Sequence, residues 1–198
     1  MFAALTGLGL SSAAGFNAYI PLLVVGLASH VTDRVALPAG NEWMGAWWAI
    51  GLFSVLLLVE IVVDKIPVVD HVNDVIQTAI RPASGGAVFS ATAAAGEADS
   101  WLADRPWIGW LAGIVCALGV HAVKALARPV VNATTAGVGA PVVSTVEDGG
   151  SLGMSLVAIF APILVVVFLA LFAFIGYRFV RRIRRRRARK LAARTAAA

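Results

Sequence analysis

Cysteine is almost absent from this chain, since Cys116 is the only one among 198 residues. A single cysteine excludes an intramolecular disulfide framework and a cysteine-based metal cluster. The P-loop, HExxH and GxSxG patterns are also missing, as is a paired metal motif. We therefore predict a protein that is not an enzyme and that holds neither a metal nor another cofactor.

Charge is scarce as well. Charged residues make up 14% of the chain, against about 25% in a typical soluble domain. Hydrophobic residues make up 60%, and the mean hydropathy is +0.86. Apolar runs of about 20 residues match the hydrocarbon thickness of a membrane, roughly 30 Å. The sequence predicts an all-α polytopic membrane protein, with residues 1–180 as a single transmembrane domain. Its long apolar runs are Leu5–Leu27, Trp47–Val63, Pro106–Val123 and Leu152–Val180.

Basic residues are concentrated at one end. Ten of the 16 lysines and arginines lie between Arg178 and Arg194. A basic run directly after an apolar segment predicts a cytoplasmic end and contact with anionic lipid headgroups. No folded basic face with interleaved aromatics accompanies it, so nucleic acid is not expected as a partner. We expect residues 181–198 to form a disordered polybasic tail.

The dipeptide Arg-Pro occurs twice, at Arg81-Pro82 and Arg128-Pro129. Because proline disfavours helical geometry in the residue before it, each copy predicts a helix break. Small residues dominate the segments that follow, 82–96 and 129–146. Both are short for a crossing, so they either cross or re-enter the membrane. The pattern predicts a parallel internal repeat of helix, Arg-Pro break and helix.

Charge distribution suggests a topology. With about six membrane segments, the positive-inside rule places both termini in the cytoplasm. The acidic residues near 97–104 and at Glu147 and Asp148 then lie outside. Six tryptophans would share the outer interface as an aromatic belt. They are Trp43, Trp47, Trp48, Trp101, Trp107 and Trp110.

Each Arg-Pro copy ends a polar stripe with i, i+3, i+7 spacing, which lies on one helical face. A guanidinium beside a helix N-terminus suits phosphate or carboxylate, so the stripes predict an anion site. The alternative is that each arginine extends to the interface and caps the preceding helix. The predicted substrate-binding residues are Arg81, Arg128, Lys124, His121 and Asn17, the last of which could instead bond across helices.

Acidic residues form a second group near the end of the second apolar run. Ionisable groups at membrane depth often mark proton or ion pathways. We therefore predict Glu60, Asp64 and Asp74 as proton- or ion-coupling residues. An ion-pair network with Lys65 and Arg81 is the alternative.

Three segments carry a resemblance: VEIVVDKIPVVDHVND, AIRPASGG and ARPVVNATTAGVGAPVVSTVEDGG. They resemble a group of small bacterial integral membrane proteins known only as a domain of unknown function. The resemblance implies a fold type and, with it, a multi-pass protein of the bacterial inner membrane, but no substrate.

Two functions follow as hypotheses. The first is a small transporter or lipid-phosphate translocase that binds an anionic headgroup at the Arg-Pro breaks, similar in general to polyprenyl-phosphate flippases with paired re-entrant elements. The second is a non-catalytic accessory subunit of a larger envelope complex such as a lipid importer. Expected partners are membrane lipids and either further copies of the chain or a host complex.

Overall fold

The computed structural model describes residues 2–64, 67–93, 105–135 and 138–195. Seven α-helices and one short 3-10 helix, Glu42–Gly45, cover most of these residues, and no strand occurs among them. The all-helical prediction is therefore confirmed. The helices are α1 (Phe2–Phe16), α2 (Tyr19–Val31), α3 (Trp47–Val63), α4 (Pro67–Ala93), α5 (Pro106–Thr135), α6 (Ala140–Phe160) and α7 (Ile163–Thr195).

The chain forms two compact units, Met1–Val165 and Val166–Ala198. Helices α1 to α6 belong to the first unit, and the second contains most of α7. Helix α7 continues through the basic residues to Thr195. The sequence analysis, in contrast, predicts disorder from residue 181 onward. The division into domains 1–180 and 181–198 stays a prediction.

In the part of the chain that the structure describes, one helical stretch, Pro106–Pro129 of α5, is long and apolar enough to cross a membrane. Helices α1, α2 and α3 and the stretch Ile163–Arg178 are apolar but shorter. At 1.5 Å per residue, the 15 residues of α1 and the 13 of α2 each extend only about 20 Å. Neither α1 nor α2 alone matches the thickness of a hydrocarbon core.

Helices α1 and α2 form a hairpin. The chain leaves helical geometry at Asn17 and re-enters it at Tyr19. Residues 34–36, just after α2, line the same cavity as Phe2, Ala3 and Thr6 at the start of α1. Both outer ends of the pair therefore lie together, and the prediction of one continuous span over Leu5–Leu27 is wrong. We call residues 16–18 the hairpin tip.

Helices α4 and α5 pack antiparallel to each other. Gly85 faces Gly113, Gly86 contacts Trp110, and farther along Arg81 bonds to His121. Small residues at these contacts let the two backbones approach closely. The predicted parallel repeat treats the stripes that end at Arg81 and Arg128 as equivalent, so it requires them to run in the same direction. These stripes lie on α4 and α5, which run in opposite directions, and the prediction is therefore wrong.

The predicted breaks at Arg-Pro are also wrong. Pro82 lies inside α4 and Pro129 lies inside α5. An interior proline removes one backbone hydrogen bond and clashes with the preceding turn, at a cost of about 3 kcal/mol. In α4 this cost is offset by packing, since Ala87, Val88 and Ala91 beyond the proline are buried. The segments 82–96 and 129–146 are thus parts of α4, α5 and α6, although residues 94–96 and 136–137 lie outside the described residues.

The start of α1 lies at the tryptophan end of the α4–α5 pair. Gly7 is packed on the Phe89 ring, which also contacts Gly109, one residue from Trp110. The predicted topology places the N-terminus and Trp110 on opposite sides of the membrane. In the structure, the start of α1 and Trp110 lie at the same end of the α4–α5 pair. The reason is that α2 returns toward the end at which α1 begins.

We expect Gly113→Ala to lower the free energy of unfolding by about 1–3 kcal/mol, the usual range for overpacking. A Cβ at position 113 would meet the Gly85 carbonyl, a backbone group that cannot rotate away. Gly119→Ala is the matched control, because the same helix offers open space there. Denaturant unfolding of the detergent-solubilised protein measures both variants. Equal stability of the two variants would contradict the close approach of α4 and α5.

Candidate functional site

Among the described residues, six charged side chains from four segments meet inside the first unit. We call them the charged cluster: Glu60 of α3, Asp64 directly after it, Arg81 of α4, Lys124 and Arg128 of α5, and Glu147 of α6. All six are buried. The cluster holds three cations and three carboxylates, so its formal charge is 3 − 3 = 0. A buried charge is tolerated when it is paired in this way.

Lys124 and Arg128 share the same two carboxylates. The Arg128 Nη2 atom lies 3.2 Å from Asp64 Oδ2 and 3.1 Å from Glu147 Oε2. The Lys124 Nζ atom lies 2.9 Å from Glu147 Oε2 and 3.8 Å from Asp64 Oδ2. The i, i+4 spacing puts both cations on one face of α5, so a single oxygen of Glu147 contacts both.

Arg81 belongs to a separate chain of hydrogen bonds. Its Nη2 donates to Glu60 Oε1 at 2.9 Å, and its Nη1 lies 3.0 Å from His121 Nδ1. Because a guanidinium only donates, His121 Nδ1 must accept. The neutral ring then carries its hydrogen on Nε2, which donates to Thr78 Oγ1 at 3.1 Å. Arg81 is 0% exposed, and Glu60 and His121 are also buried, whereas Thr78 at the end of the chain of hydrogen bonds is exposed.

The hairpin tip lies against the charged cluster. Asn17 Oδ1 accepts hydrogen bonds from the backbone N–H groups of Tyr19 and Ile20, at 3.0 and 3.2 Å. These groups open α2 and have no partner within their helix. The Asn17 Nδ2 donates to Asp148 Oδ1 at 2.9 Å. One asparagine therefore starts α2 and ties the hairpin tip to α6.

Two carbonyls of the tip are held by other helices. Lys124 Nζ donates to the Phe16 carbonyl at 3.1 Å, and Ser84 Oγ donates to the Ala18 carbonyl. The C-terminal end of α1 carries partial negative charge, which a lysine complements. Lys124 thus bridges the hairpin tip and Glu147.

The structure brings together seven of the eight residues that the sequence singles out. Five of them form most of the charged cluster: Arg81, Lys124, Arg128, Glu60 and Asp64. His121 bonds to Arg81. Asn17 bonds to Asp148 and lies next to Phe16, whose carbonyl accepts from Lys124. The side chain of Asp74 lies outside the described residues. The substrate-binding and coupling roles of these residues stay predictions.

The predicted positions of Glu147 and Asp148 are wrong. The sequence analysis places them outside, away from Lys124 and Arg128, yet Glu147 pairs with both cations and Asp148 contacts Asn17. Both residues lie within α6 and not in a connection that follows the predicted segment 129–146. A signal was present, because Ser144, Glu147, Ser151 and Ser155 follow helical spacing, and all four are buried. The prediction that places Glu147 and Asp148 outside overlooks this stripe.

A cavity of about 560 Å³ lies elsewhere, beside the start of α1. Its lining includes Phe2, Thr6 and Phe160, and Arg34 lies 5.9 Å from the centroid of the Phe160 ring. Thr6 is almost three helical turns from the hairpin tip, so this cavity is not the charged cluster. In the described part of the chain, no group of three or more His, Cys, Asp or Glu side chains is arranged to hold a metal ion.

Fold and site together define an all-helical protein in which a helical hairpin ends at a buried, charge-balanced cluster. The chain belongs to the family described as Domain of unknown function (DUF4126), whose model matches residues 4–182. This match confirms the resemblance to a family of unknown function. No curated protein matches the chain, and no solved structure matches it either.

Proposed function

We propose that this protein is a small multi-pass transporter of a bacterial inner membrane that binds a phosphate group at Lys124 and Arg128. The phosphate belongs either to a free anion or to a lipid headgroup. The observation that carries the proposal is the sharing of Glu147 Oε2 by both cations. This carboxylate oxygen occupies the position that an oxygen of a bound phosphate would take.

Membrane residence is supported by the distribution of apolar and charged side chains. Helix α3 exposes large apolar residues along its length, while Glu60 near its end is buried. Charges in the interior and apolar residues on the surface suit a lipid environment, in which intramembrane ionisable groups face the protein interior. The exposed residues of α3 are Trp47, Trp48, Leu52, Val55, Leu58, Val59 and Val62.

Access to the charged cluster is easiest at one edge. The side chains of Arg128 and Glu147 are each 10% exposed, whereas those of Lys124 and Asp64 are 2% exposed. An entering phosphate meets Arg128 first and replaces Glu147 there. A guanidinium presents a planar fork of donors that matches phosphate geometry, and lysine adds a point charge. Exchange of one anion for another keeps the buried cations paired throughout.

Phosphate binding would also change how the hairpin tip is held. Lys124 Nζ contacts both Glu147 and the Phe16 carbonyl. A phosphate that draws Lys124 toward itself weakens the bond to the carbonyl and frees the tip from α5. The α1–α2 hairpin, which is too short to cross, is then the element that moves between substrate-bound and substrate-free states.

Flux in reconstituted vesicles tests the proposal. We expect uptake of radiolabelled phosphate, or transbilayer movement of a labelled phosphate-bearing lipid, with the pure chain. Arg128→Gln should reduce that flux about tenfold or more, because a hydrogen bond to a charged group contributes about 1.5–3 kcal/mol. Arg34→Gln is the control, since Arg34 is exposed and lies outside the charged cluster.

The two assays separate the sources of the phosphate. Uptake of free phosphate alone identifies an anion transporter, and movement of the lipid alone identifies a translocase. Equal flux in wild-type, Arg128→Gln and empty vesicles contradicts the proposal and favours the accessory-subunit hypothesis.

A further inference from the structure

Two buried oxygen atoms beside Arg81 have no hydrogen-bond partner within the described residues. They are Oε2 of Glu60 and Oε1 of Gln77. Both residues are 2% exposed. Buried polar groups in proteins are nearly always hydrogen-bonded, so two acceptors without a donor require an explanation.

The two residues belong to one layer of the bundle. Gln77 precedes Arg81 by one turn on α4, and Arg81 Nη2 bonds the other oxygen of Glu60 at 2.9 Å. Tyr19 of α2 neighbours Glu60, Gln77 and Arg81. Both oxygens are acceptors, so neither can satisfy the other while Glu60 is ionised.

Asp64 provides the internal comparison. It lies one turn after Glu60 and is equally buried at 2%. Each of its oxygens has a donor, because Asn73 Nδ2 reaches Oδ1 at 2.8 Å and Arg128 Nη2 reaches Oδ2 at 3.2 Å. The half-paired carboxylate of Glu60 therefore has room for a hydrogen that the fully paired carboxylate of Asp64 lacks.

We propose that Glu60 is a proton-binding site. A proton taken from water binds Oε2, and the resulting carboxylic acid O–H donates to Gln77 Oε1. The addition of one proton converts two unpaired acceptors into one hydrogen bond. Oε1 of Glu60 continues to accept from Arg81.

The groups that face Glu60 set the balance of charge. They are Arg81 on α4, Lys124 and neutral His121 on α5, Asp64 after α3 and Tyr19 on α2. Protonation of Glu60 leaves three cations and two carboxylates in the charged cluster, a change from 0 to +1. The added positive charge attracts an anion, so the proton and the phosphate bind together. This coupling rests on the proposed function, whereas the proton site itself does not.

Infrared difference spectroscopy of the full chain tests the proton site without any anion or flux. As the pH falls from about 9 to about 5, a range that lies above the titration of ordinary carboxyl groups near pH 4, wild type should gain a carbonyl band of a protonated carboxylic acid. The band should shift in D₂O. It should vanish in Glu60→Gln and persist in the control Glu42→Gln, since Glu42 is exposed and lies outside the charged cluster.

A second variant protects the test against misfolding of Glu60→Gln. Gln77→Leu retains Glu60 but removes the proposed acceptor, so the band should remain and move to higher frequency as its hydrogen bond weakens. Absence of the band in wild type, its persistence in folded Glu60→Gln, or an unshifted band in Gln77→Leu would each overturn the proposal. Loss of flux with an intact Glu60 band would reject only the transport function.

Discussion

Arg81→Met should destabilise the fold by about 3–5 kcal/mol, the range for removal of one partner of a buried ion pair. The guanidinium is 0% exposed, and its loss leaves Glu60 as an uncompensated buried charge. His121 Nδ1 also loses its donor. Denaturant unfolding of the detergent-solubilised chain measures the change.

A double variant shows whether the cost arises from the unpaired carboxylate. Arg81→Met with Glu60→Gln removes both charges, and we expect it to recover most of the lost stability. The single variant Arg81→Met should also regain stability in acid, because a neutral Glu60 carries no uncompensated charge. Arg34→Met is the control at an exposed arginine and should change stability by less than about 1 kcal/mol. Additive losses in the double variant would show that Arg81 and Glu60 do not act as a pair.

Asn17→Leu should cost about 2–6 kcal/mol, because two buried backbone N–H groups lose their acceptor at about 1–3 kcal/mol each. Those groups belong to Tyr19 and Ile20, and Asp148 loses a donor at the same time. Leucine has the same number and branching of side-chain heavy atoms as asparagine, so cavity formation contributes little. Unfolding measurements give the size of the loss, and limited proteolysis at the hairpin tip gives its location.

An exchange of the two side chains is the sharper test of this contact. Asn17→Asp retains an acceptor for α2 but sets two carboxylates against each other, so it should destabilise the fold. Adding Asp148→Asn restores a donor–acceptor pair in the reverse sense and should rescue it. Failure of the rescue, with Asn17→Leu near wild-type stability, would mean that the tip does not depend on this contact.

Much of the charged cluster could be predicted from spacing alone. The stripes ending in Arg81 and Arg128 identify inward-facing positions whatever the helix direction, because residues at i, i+3 and i+7 share a face. Glu60 and Asp64 are revealed by their position at the end of an apolar run. Contacts among these residues are therefore found even though the predicted repeat that joined them is wrong.

Helix continuity could not be predicted in the same way. Local preference argues for a break at Pro82, but tertiary packing on both sides of α4 outweighs a cost of about 3 kcal/mol. The true break, at Asn17, lies between Gly15 and Pro21 in a run whose length and apolar composition favour a single span. There the deciding contacts come from α4, α5 and α6, through Ser84, Lys124 and Asp148. Contacts so distant in sequence leave no local pattern.

Placement of Glu147 shows a second limit. The positive-inside rule treats acidic residues between apolar runs as loop residues, although acidic residues contribute little to that rule. Inside a bundle, the same residues pair with buried cations. Glu147 lies 19 residues from Arg128 in sequence and still meets it, because α5 and α6 converge on the charged cluster.

Native mass spectrometry of the purified chain, released from its membrane in mild detergent, tests the central claim most directly. The account predicts a particle that contains only this chain and carries a bound phosphate or phosphate-bearing lipid, with the ligand lost in Arg128→Gln and retained in Arg34→Gln. The observed mass distinguishes the free anion from the lipid. A particle with no such ligand and a stoichiometric set of other proteins would contradict the account and identify the chain as a subunit of a larger complex.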